Sequence, residues 1–387
     1  MAMNKKKILF YFMKGDADGG SDYSLFTHLN HLDLNKYIPI ITYRKYSPII
    51  HTLEDKGFEV IHLKGKKKEK SKLSSKANSN IENISSKEYF FKKYLRSIKV
   101  FIKAIPETLI LRRIIKEKKI DIIHLNHNLN GDRAGIIAGI LTRIKIISHY
   151  RGLYKPIPID IYLSKYINTI ICISNFTKEE YVNNGIDENK CITIYNGVDT
   201  SIFYPQSKSN NNKIIGCVGR LEIWKGQQIL LKAFPEVLKA FPNVKVQFIG
   251  DGSNMKELSL LTEKLGITNS VEFVGSVNNI KDYIKEFSIA VHTSINPEPF
   301  GRVIIEAMAM GKVVIATNIG GPKEIINNGQ DGFLVTANNS KILAKKVIDI
   351  LNDDELSKKI SHNAVEKIKT KFESNIITKE IEKIYEK

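Results

Sequence analysis

Short apolar runs alternate with longer amphipathic stretches along almost the whole chain, and this alternation limits the possible folds most. Apolar runs of about 4–8 residues bounded by polar or glycine residues are typical of strands buried on both faces, and helical crossovers between such strands make them parallel. The sequence therefore predicts an α/β protein with helices on both faces of parallel sheets. Strands are predicted over 7–13, 38–42, 59–62, 121–124, 145–149, 169–173, 191–194, 214–218, 245–249, 271–274, 289–293 and 313–316.

The length of the chain favours two domains over one. A chain of 387 residues is long for a single core, and its 42% of hydrophobic residues can fill two. The polar run 207–213 is predicted to be the linker, so the first domain covers residues 1–206 and the second begins at residue 207. Two doubly wound domains that face each other would bring the carboxyl ends of their strands to a central cleft, where such folds bind ligands.

The segment 296–311 carries two carboxylates eight positions apart, Glu298 and Glu306. Prolines on either side of Glu298 favour an extended loop, so a helix is predicted to begin near Gly301 and to contain Glu306. The main-chain amides of residues 300–303 would have no partner inside that helix and could bind hydroxyl or phosphate oxygens. This pattern suits a polyhydroxylated ligand, and its simpler interpretation is a helix start with acidic residues nearby.

The segment resembles the Glu-x7-Glu signature of the retaining glycosyltransferases of family 4, which have the GT-B fold. Further motifs of that family follow in the expected order over nearly the whole chain. They are the Gly-Gly loop Gly19-Gly20-Ser21-Asp22, the junction Tyr195-Asn196-Gly197-Val198-Asp199 with Phe203, the diphosphate-binding pair Gly219-Arg220-Leu221 and Trp224-Lys225-Gly226, and the closing segments Gly320-Gly321-Pro322 with Glu324-Ile325 and Gly332-Phe333-Leu334-Val335.

This resemblance implies a fold and an activity. The fold would be two Rossmann-like domains, with the second over 207–372 and a last helix, 373–387, that packs back on the first domain. The activity would be transfer of a hexosyl or N-acetylhexosaminyl unit, with retention, from a UDP- or GDP-linked sugar. A glycan or a lipid-linked intermediate would accept the sugar, in the biosynthesis of cell-surface polysaccharide or glycolipid.

Arg220 and Lys225 precede a predicted helix that starts near Gly226, where a diphosphate could bind. A guanidinium binds two oxygens and an ammonium acts as a point charge, so the pair can stabilise a departing nucleoside diphosphate without a metal. Taken alone, the pair would be an ordinary surface pair. No metal site and no cofactor are expected. The resemblance assigns the ribose hydroxyls to Glu306 and the sugar hydroxyls to Glu298, and it places the donor against Gly19, Gly20, Arg220, Lys225, Glu298, Phe300, Gly301, Arg302, Val303 and Glu306.

Histidines at the ends of predicted strands are the candidates in the first domain. His149 matches a histidine that contacts the transferred sugar in relatives, so His149 and Glu298 are the predicted catalytic residues. The leaving phosphate oxygen would take the acceptor's proton on the front face of the sugar. His124, His127 and Arg151 are candidates on the acceptor side, and the sequence does not choose between the two histidines.

Basic residues are concentrated in the insert 64–119, which holds 18 Lys and Arg against 5 Asp and Glu, a net charge of +13. Residues 64–87 are of low complexity and predict a flexible loop. Residues 88–119 predict a basic amphipathic helix or helix pair, in either case broken near Pro106, that could contact an anionic membrane. The alternative is a solvated face. No helix-turn-helix, RNA-binding or zinc motif accompanies the charge, so no nucleic acid is expected.

The three cysteines, Cys172, Cys191 and Cys217, are isolated and predict core residues in a reducing cytoplasm. The first apolar run is too short for a signal peptide, and no run reaches the ~20 residues that span a bilayer. The predicted location is the cytoplasm, with peripheral contact to the inner face of the cell membrane.

Three other functions fit parts of the pattern. A sugar-nucleotide epimerase on the same fold would act without an acceptor. A catalytically silent sugar-nucleotide binder would keep the donor motifs and show no turnover. A basic membrane-docking scaffold would bind lipid and have no affinity for nucleotides.

Overall fold

A computed structural model describes residues 5–12, 20–44, 48–63, 86–207 and 213–387, and it describes residues 86–94 by their main chain alone. The chain forms two compact units. Unit 1 comprises residues 1–173, 177–194 and 381–387, and unit 2 comprises residues 174–176 and 195–380. Gly19 and residues 64–85, which are nearly all of the predicted low-complexity loop 64–87, lie outside the described residues.

Unit 1 is built on a parallel sheet of seven strands in the order β3-β2-β1-β4-β5-β6-β7. The strand order reverses between β1 and β4, which is the arrangement of a doubly wound sheet. The strands are β1 (Lys6–Phe12), β2 (Tyr37–Tyr43), β3 (Glu59–His62), β4 (Ile122–Leu125), β5 (Lys145–Tyr150), β6 (Thr169–Cys172) and β7 (Cys191–Thr193). The helices between them are α1 (Gly20–His31), α2 (Pro48–Asp55), α3 (Ser86–Lys118), α4 (Leu129–Thr142), α5 (Pro158–Ser164) and α6 (Asn175–Asn183).

Unit 2 repeats the pattern with a parallel sheet of six strands, in the order β10-β9-β8-β11-β12-β13. Its order reverses between β8 and β11. The strands are β8 (Ile214–Val218), β9 (Lys245–Ile249), β10 (Val271–Gly275), β11 (Ile289–His292), β12 (Val313–Thr317) and β13 (Phe333–Val335). The helices are α7 (Gln227–Ala240), α8 (Met255–Lys264), α9 (Lys281–Ile284), α10 (Arg302–Ala309), α11 (Pro322–Ile325), α12 (Ser340–Asn352), α13 (Asp354–Lys367) and α14 (Ser374–Glu386), with 3-10 turns at Ile223–Lys225 and Thr268–Ser270 and a π-helical turn at Ile368–Phe372. A further 3-10 turn, Glu188–Lys190, lies in unit 1 before β7.

The observed strands confirm the predicted α/β class with two parallel sheets. Every predicted strand is present, and those over 59–62, 214–218 and 245–249 match to the residue. The sheets are covered by large apolar clusters, and all three cysteines are buried. Within the described ranges, no helix has the length and apolar character needed to cross a membrane.

The predicted break in the basic helix is wrong, because α3 runs without interruption from Ser86 to Lys118 with Pro106 inside it. Proline removes one amide donor and leaves the carbonyl of the residue four positions earlier without its helical partner. Pro106 and Ile102 both lie on the exposed side of α3, so water can hydrate that carbonyl. The helix therefore tolerates the proline.

The first unit ends before residue 195, twelve positions earlier than the predicted boundary at 206. Main-chain bonds explain the difference: the amide of Val198 donates to the carbonyl of Phe372 at 2.9 Å, and the amide of Ser374 donates to the carbonyl of Val198 at 3.0 Å. These bonds tie the junction segment into unit 2. The last helix is also divided, since only its final residues, 381–387, belong to unit 1. The predicted linker lies mostly in 208–212, outside the described residues.

The final residues of α14 bind the core of unit 1 through Tyr385. Its hydroxyl lies 3.0 Å from His28 Nε2 and 2.6 Å from His124 Nδ1. Glu382 accepts a hydrogen bond from the amide of Asp33 at 2.8 Å. His28, Asp33 and His124 all precede α14 by more than 240 positions in the sequence. The end of α14 therefore packs against the beginning of the chain in unit 1.

Candidate active site

Two loops interlock at the reversal point of the unit 2 sheet. One follows β8 over residues 219–226, and the other follows β11 over residues 293–301. The amide of Ile295 donates to the carbonyl of Trp224 at 2.9 Å, and Thr293 Oγ1 donates to the carbonyl of Lys225 at 3.0 Å. Carboxyl ends of strands at such a point are the usual ligand site of a doubly wound sheet, so both predicted donor motifs lie there.

The α10 helix begins as predicted, at Arg302, after Gly301. Gly301 has φ of +115°, a backbone conformation that favours glycine, and this turn ends the extended loop. Glu306 lies inside the helix and is buried, and its Oε1 is 2.5 Å from Arg302 Nη2 one turn earlier. The ring of Phe300 is buried beside Tyr195, so only the main chain of Phe300 is available to a ligand. Val303, in the first helical turn, is half-buried.

Glu298 is held by three side chains. Its Oε2 lies 2.6 Å from Lys225 Nζ, 3.1 Å from Ser294 Oγ and 3.5 Å from His292 Nε2. Burial by itself would raise the pKa of Glu298, but the contact with His292 and the charge of Lys225 outweigh that effect and hold the pKa well below its usual range. Glu298 is therefore a fixed, ionised acceptor at neutral pH.

The closing segment predicted from the sequence packs against the loop that carries Glu298. Gly320 pairs with Glu298 along the main chain, and the amide of Gly321 donates to the carbonyl of Glu298 at 2.8 Å. A Cβ atom on Gly320 would lie 2.5 Å from that carbonyl oxygen, and one on Gly321 would lie 2.4 Å from Phe300 Cα. Both glycines are therefore needed for the close approach of the two segments. This main-chain contact fixes the position of Glu298 in its loop.

Arg220 and Lys225 flank the indole of Trp224, the only tryptophan of the chain. Lys225 Nζ lies 4.4 Å from the centre of the indole and the Arg220 guanidinium carbon lies 6.0 Å from it. Arg220 is exposed, and its carbonyl accepts a hydrogen bond from Gln227 Nε2 at 2.9 Å, at the first residue of α7. The two cations therefore lie beside a helix N-terminus, the arrangement that favours a bound anion.

In unit 1, the loop after β4 connects the start of α1 to the end of β5. Asn126 Nδ2 donates to the carbonyl of Ser21 at 3.1 Å, and its Oδ1 accepts from Arg151 Nε at 2.8 Å. The amide of Arg151 donates to the carbonyl of His127 at 2.9 Å. Gly20 is exposed at the first position of α1. The structure therefore groups Gly20, His127 and Arg151 around Asn126, a residue that was not among the predicted site residues.

His149 and His124 are both fully buried, with ring centres 5.6 Å apart. Burial, together with the charge of Arg151, lowers the pKa of each well below its usual value, so both rings are neutral. His124 is bound to Tyr385, whereas neither ring nitrogen of His149 has a hydrogen-bond partner among the described residues. Of the two acceptor-side histidines, only His127 keeps exposed surface, and the predicted catalytic role of His149 stays a prediction.

His292 and Ser294 are the residues that sequence reasoning missed in unit 2. His292 is the last residue of β11 and Ser294 follows the strand, six and four positions before Glu298, so a strand end beside the motif was the available signal. No three histidine, cysteine or acidic side chains converge as a metal site within the part of the chain that the structure describes.

Two family models match the chain. Residues 48–202 match the model of Glycosyltransferase Family 4, and residues 199–367 match that of Glycosyl transferases group 1. An uncharacterized glycosyltransferase of Methanocaldococcus jannaschii is 30% identical over 291 residues, which cover 71% of this chain and 78% of the relative.

A second relative and a solved structure extend the comparison. The capsular polysaccharide biosynthesis glycosyltransferase CapM of Staphylococcus aureus is 29% identical over 56% of this chain, and the match covers only 60% of CapM. The crystal structure of HepE from Anabaena, in complex with UDP, is similar with a TM-score of 0.76 and 24% identity. That similarity covers 98% of this chain and 99% of HepE, and it shows a common fold.

Proposed function

Because the chain belongs to the group 1 glycosyl transferases of family 4, we propose that it transfers a sugar, with retention and without a metal, from a UDP- or GDP-linked donor. The acceptor is a hydroxyl on a glycan or a lipid-linked intermediate of cell-surface polysaccharide or glycolipid. The polysaccharide role of CapM supports this acceptor class, and the UDP bound to HepE supports a uridine donor as the first to be tried.

One observation carries the proposal: a fixed carboxylate, Glu298, and two cations, Arg220 and Lys225, lie on two interlocked loops of unit 2. Sugar hydroxyls donate hydrogen bonds to a carboxylate, and diphosphate oxygens accept them from ammonium and guanidinium groups. Lys225 connects the carboxylate to the cation pair. Its ammonium lies 2.6 Å from Glu298 and 4.4 Å from the centre of the Trp224 ring, and Arg220 lies near the same ring.

The proposed reaction breaks the bond between the anomeric carbon and the oxygen of the distal phosphate. The bonding electrons leave with the nucleoside diphosphate, whose growing charge Arg220 and Lys225 stabilise. The acceptor hydroxyl bonds to the anomeric carbon on the face that the phosphate leaves, and its proton passes to the leaving phosphate oxygen. In this scheme Glu298 positions the sugar and Glu306 binds the ribose hydroxyls. The ion pair with Arg302 keeps the carboxylate of Glu306 oriented for that contact.

The predicted role of His149, contact with the transferred sugar, is retained as part of the proposal. His149 has a neutral imidazole whose two nitrogens have no partner among the residues that the structure describes, so it can donate one hydrogen bond and accept another. It can therefore orient a sugar hydroxyl without carrying charge. The donor contact of Gly20 rests on the family resemblance. The acceptor-side roles of His127 and Arg151 rest on their positions just after β4 and β5.

A mass-spectrometric screen of nucleotide sugars, for binding and for hydrolysis, tests the function. The best donor is then offered to glycan and lipid-linked acceptors, and NMR of the product should show the donor's anomeric configuration unchanged. Binding without hydrolysis or transfer would indicate a silent binder, and a changed sugar nucleotide formed without acceptor would indicate an epimerase. Inversion at the anomeric carbon would contradict the proposed mechanism.

A further inference from the structure

The α3 helix exposes a row of large apolar side chains to solvent. The row consists of Leu95, Ile98, Ile102, Ile105 and Leu109, each between 40% and 57% exposed. Their spacing of three, four, three and four residues puts them on one side of the helix, over a length of ~21 Å at 1.5 Å per residue. Single exposed apolar residues are common on protein surfaces, but a continuous row along one helix marks an interaction surface.

The opposite side of α3 is the one that packs on unit 1. Leu111, Ile114 and Ile115 belong to its apolar core, and Thr108 Oγ1 donates to the carbonyl of Ala134 in α4 at 3.3 Å. Glu107 is buried, where it accepts a hydrogen bond from Tyr11 and pairs with Arg44. These contacts fix the rotation of the helix, so the apolar row cannot turn inwards without breaking them.

Basic side chains border the row. Lys99 and Lys103 are exposed on one flank of the row, and Arg96 is exposed further round the helix on that flank. Arg113 and Lys116 are exposed where they continue the line of the row beyond Leu109. Between residues 95 and 119 the chain has eight Lys and Arg residues against two Glu residues, of which Glu107 is buried and paired. A surface with an apolar centre and a basic margin matches the boundary between acyl chains and anionic headgroups.

We propose that this row, with its basic margin, docks the protein on an anionic lipid bilayer. The five apolar side chains enter the headgroup boundary, while the lysines and arginines keep their charges at the phosphates. An anionic lipid surface fits this face better than a nucleic acid does. A nucleic acid would place its phosphate backbone against leucine and isoleucine side chains, where it needs cations. The proposal depends on α3 and not on the transfer reaction, so each can fail without the other.

Co-sedimentation of the full chain with liposomes tests the proposal. Vesicles of phosphatidylcholine alone are compared with vesicles that also contain phosphatidylglycerol, at low and high NaCl. Binding should require phosphatidylglycerol and should weaken as salt rises, since exposed charges are screened over ~8 Å at physiological ionic strength. Equal binding to both vesicles, or binding to neither, would overturn the proposal.

The contribution of the apolar row to lipid binding is tested with two triple variants. The triple variant Ile98→Ser, Ile102→Ser, Ile105→Ser should reduce binding to anionic vesicles by at least ~10-fold, since three apolar side chains would no longer enter the boundary. Its matched control is Leu260→Ser, Ile342→Ser, Ile376→Ser, which removes exposed apolar residues of unit 2 and should change binding less than twofold. An equal loss in both triples would contradict docking through α3.

The charge margin is tested in the same way. Arg96→Gln, Lys99→Gln, Lys103→Gln should weaken binding at low salt, and Lys341→Gln, Lys345→Gln, Lys359→Gln removes the same charge from exposed positions of unit 2 as its control. Sedimentation velocity without lipid tests the other occupant, a second copy of the chain. A dimer that the serine triple of α3 dissociates, with no binding to anionic vesicles, would replace the membrane by a protein interface.

Discussion

Lys225 Nζ lies 2.6 Å from Glu298 Oε2, although the two residues are 73 positions apart. The family resemblance assigns them to different parts of one ligand, the diphosphate and the sugar. In the chain without a ligand they neutralise each other, and both side chains are about 15% exposed or less. In the proposed reaction the diphosphate oxygens would compete with Glu298 for Lys225, while the sugar hydroxyls would donate to Glu298, so recognition of the sugar and of the diphosphate would be linked.

Lys225→Ala or Arg220→Ala should reduce turnover by ~100-fold or more, because each removes one positioned donor of charge from the leaving diphosphate. The rate of donor hydrolysis or transfer is the measurement, and circular dichroism should show that the fold remains. Lys232→Ala, at an exposed position of α7, is the control and should keep normal turnover. Near-normal rates in both site variants would exclude the diphosphate assignment.

The sequence predicted the parts of unit 2 that depend on local residue patterns. The loop before Gly301 and the helix after it follow from the two prolines and the glycine, whose preferences act within a few residues. Strands β8 and β9 were predicted to the residue, as was β3 of unit 1, since each is a short run rich in apolar residues. The position of Glu306 in α10 follows from the same local rules.

Contacts between distant segments could not be predicted in this way. The pairing of Lys225 with Glu298 depends on how the loops after β8 and β11 meet, and His292 joins them only because β11 ends there. Strand β13 has three residues, Phe333–Val335, too few for a periodic pattern. The unit boundary was missed because Val198 is bound by residues near the far end of the chain.

Activity should persist in excess EDTA, since the proposal gives the charge of the leaving diphosphate to Arg220 and Lys225. The measurement is the initial rate of transfer or donor hydrolysis with and without the chelator. A metal-dependent sugar-nucleotide enzyme, assayed in the same buffer, shows that the chelator is effective. Loss of activity in EDTA that Mg²⁺ or Mn²⁺ restores would show that these side chains do not suffice.

Asp132→Asn should stabilise the protein more at pH 8 than at pH 5. Burial raises the pKa of Asp132 to about 8, despite the hydrogen bond that it accepts from Ser148 Oγ at 2.8 Å. The unfolded carboxyl ionises near pH 4, so between about pH 4 and pH 8 folding takes up a proton and stability falls as pH rises. The amide of asparagine does not ionise, so the variant does not lose stability from this group as pH rises.

Urea unfolding of the Asp132→Asn variant and the wild type at several pH values checks this dependence. The difference in the free energy of unfolding should grow by at most about 1.4 kcal/mol for each pH unit in that window. Asp354→Asn, in the exposed first turn of α13, should show no such growth. A difference that is constant from pH 5 to pH 8 would mean that Asp132 is ionised in the folded protein.

Gly226→Ala should weaken the binding of nucleoside diphosphates, and Gly266→Ala should not. The two glycines have nearly the same backbone conformation, with φ of +71° and +68°. A methyl group on Gly226 would lie 2.0 Å from the carbonyl oxygen of Thr293, whereas one on Gly266 meets no atom within 4 Å. Both variants strain the backbone by ~1 kcal/mol, but only the first pushes apart the two loops that carry Lys225 and Glu298.

Calorimetric titration with UDP and GDP, and urea unfolding, separate these two effects. Both alanine variants should lose a similar ~1 kcal/mol of unfolding free energy from backbone strain, and Gly226→Ala should lose more because of its clash. Affinity for the preferred nucleotide should fall at least ~10-fold in Gly226→Ala alone, because the displaced loop moves the cation away from the diphosphate. If Gly226→Ala bound the nucleotide as tightly as Gly266→Ala, the interlocked loops would not be the donor site.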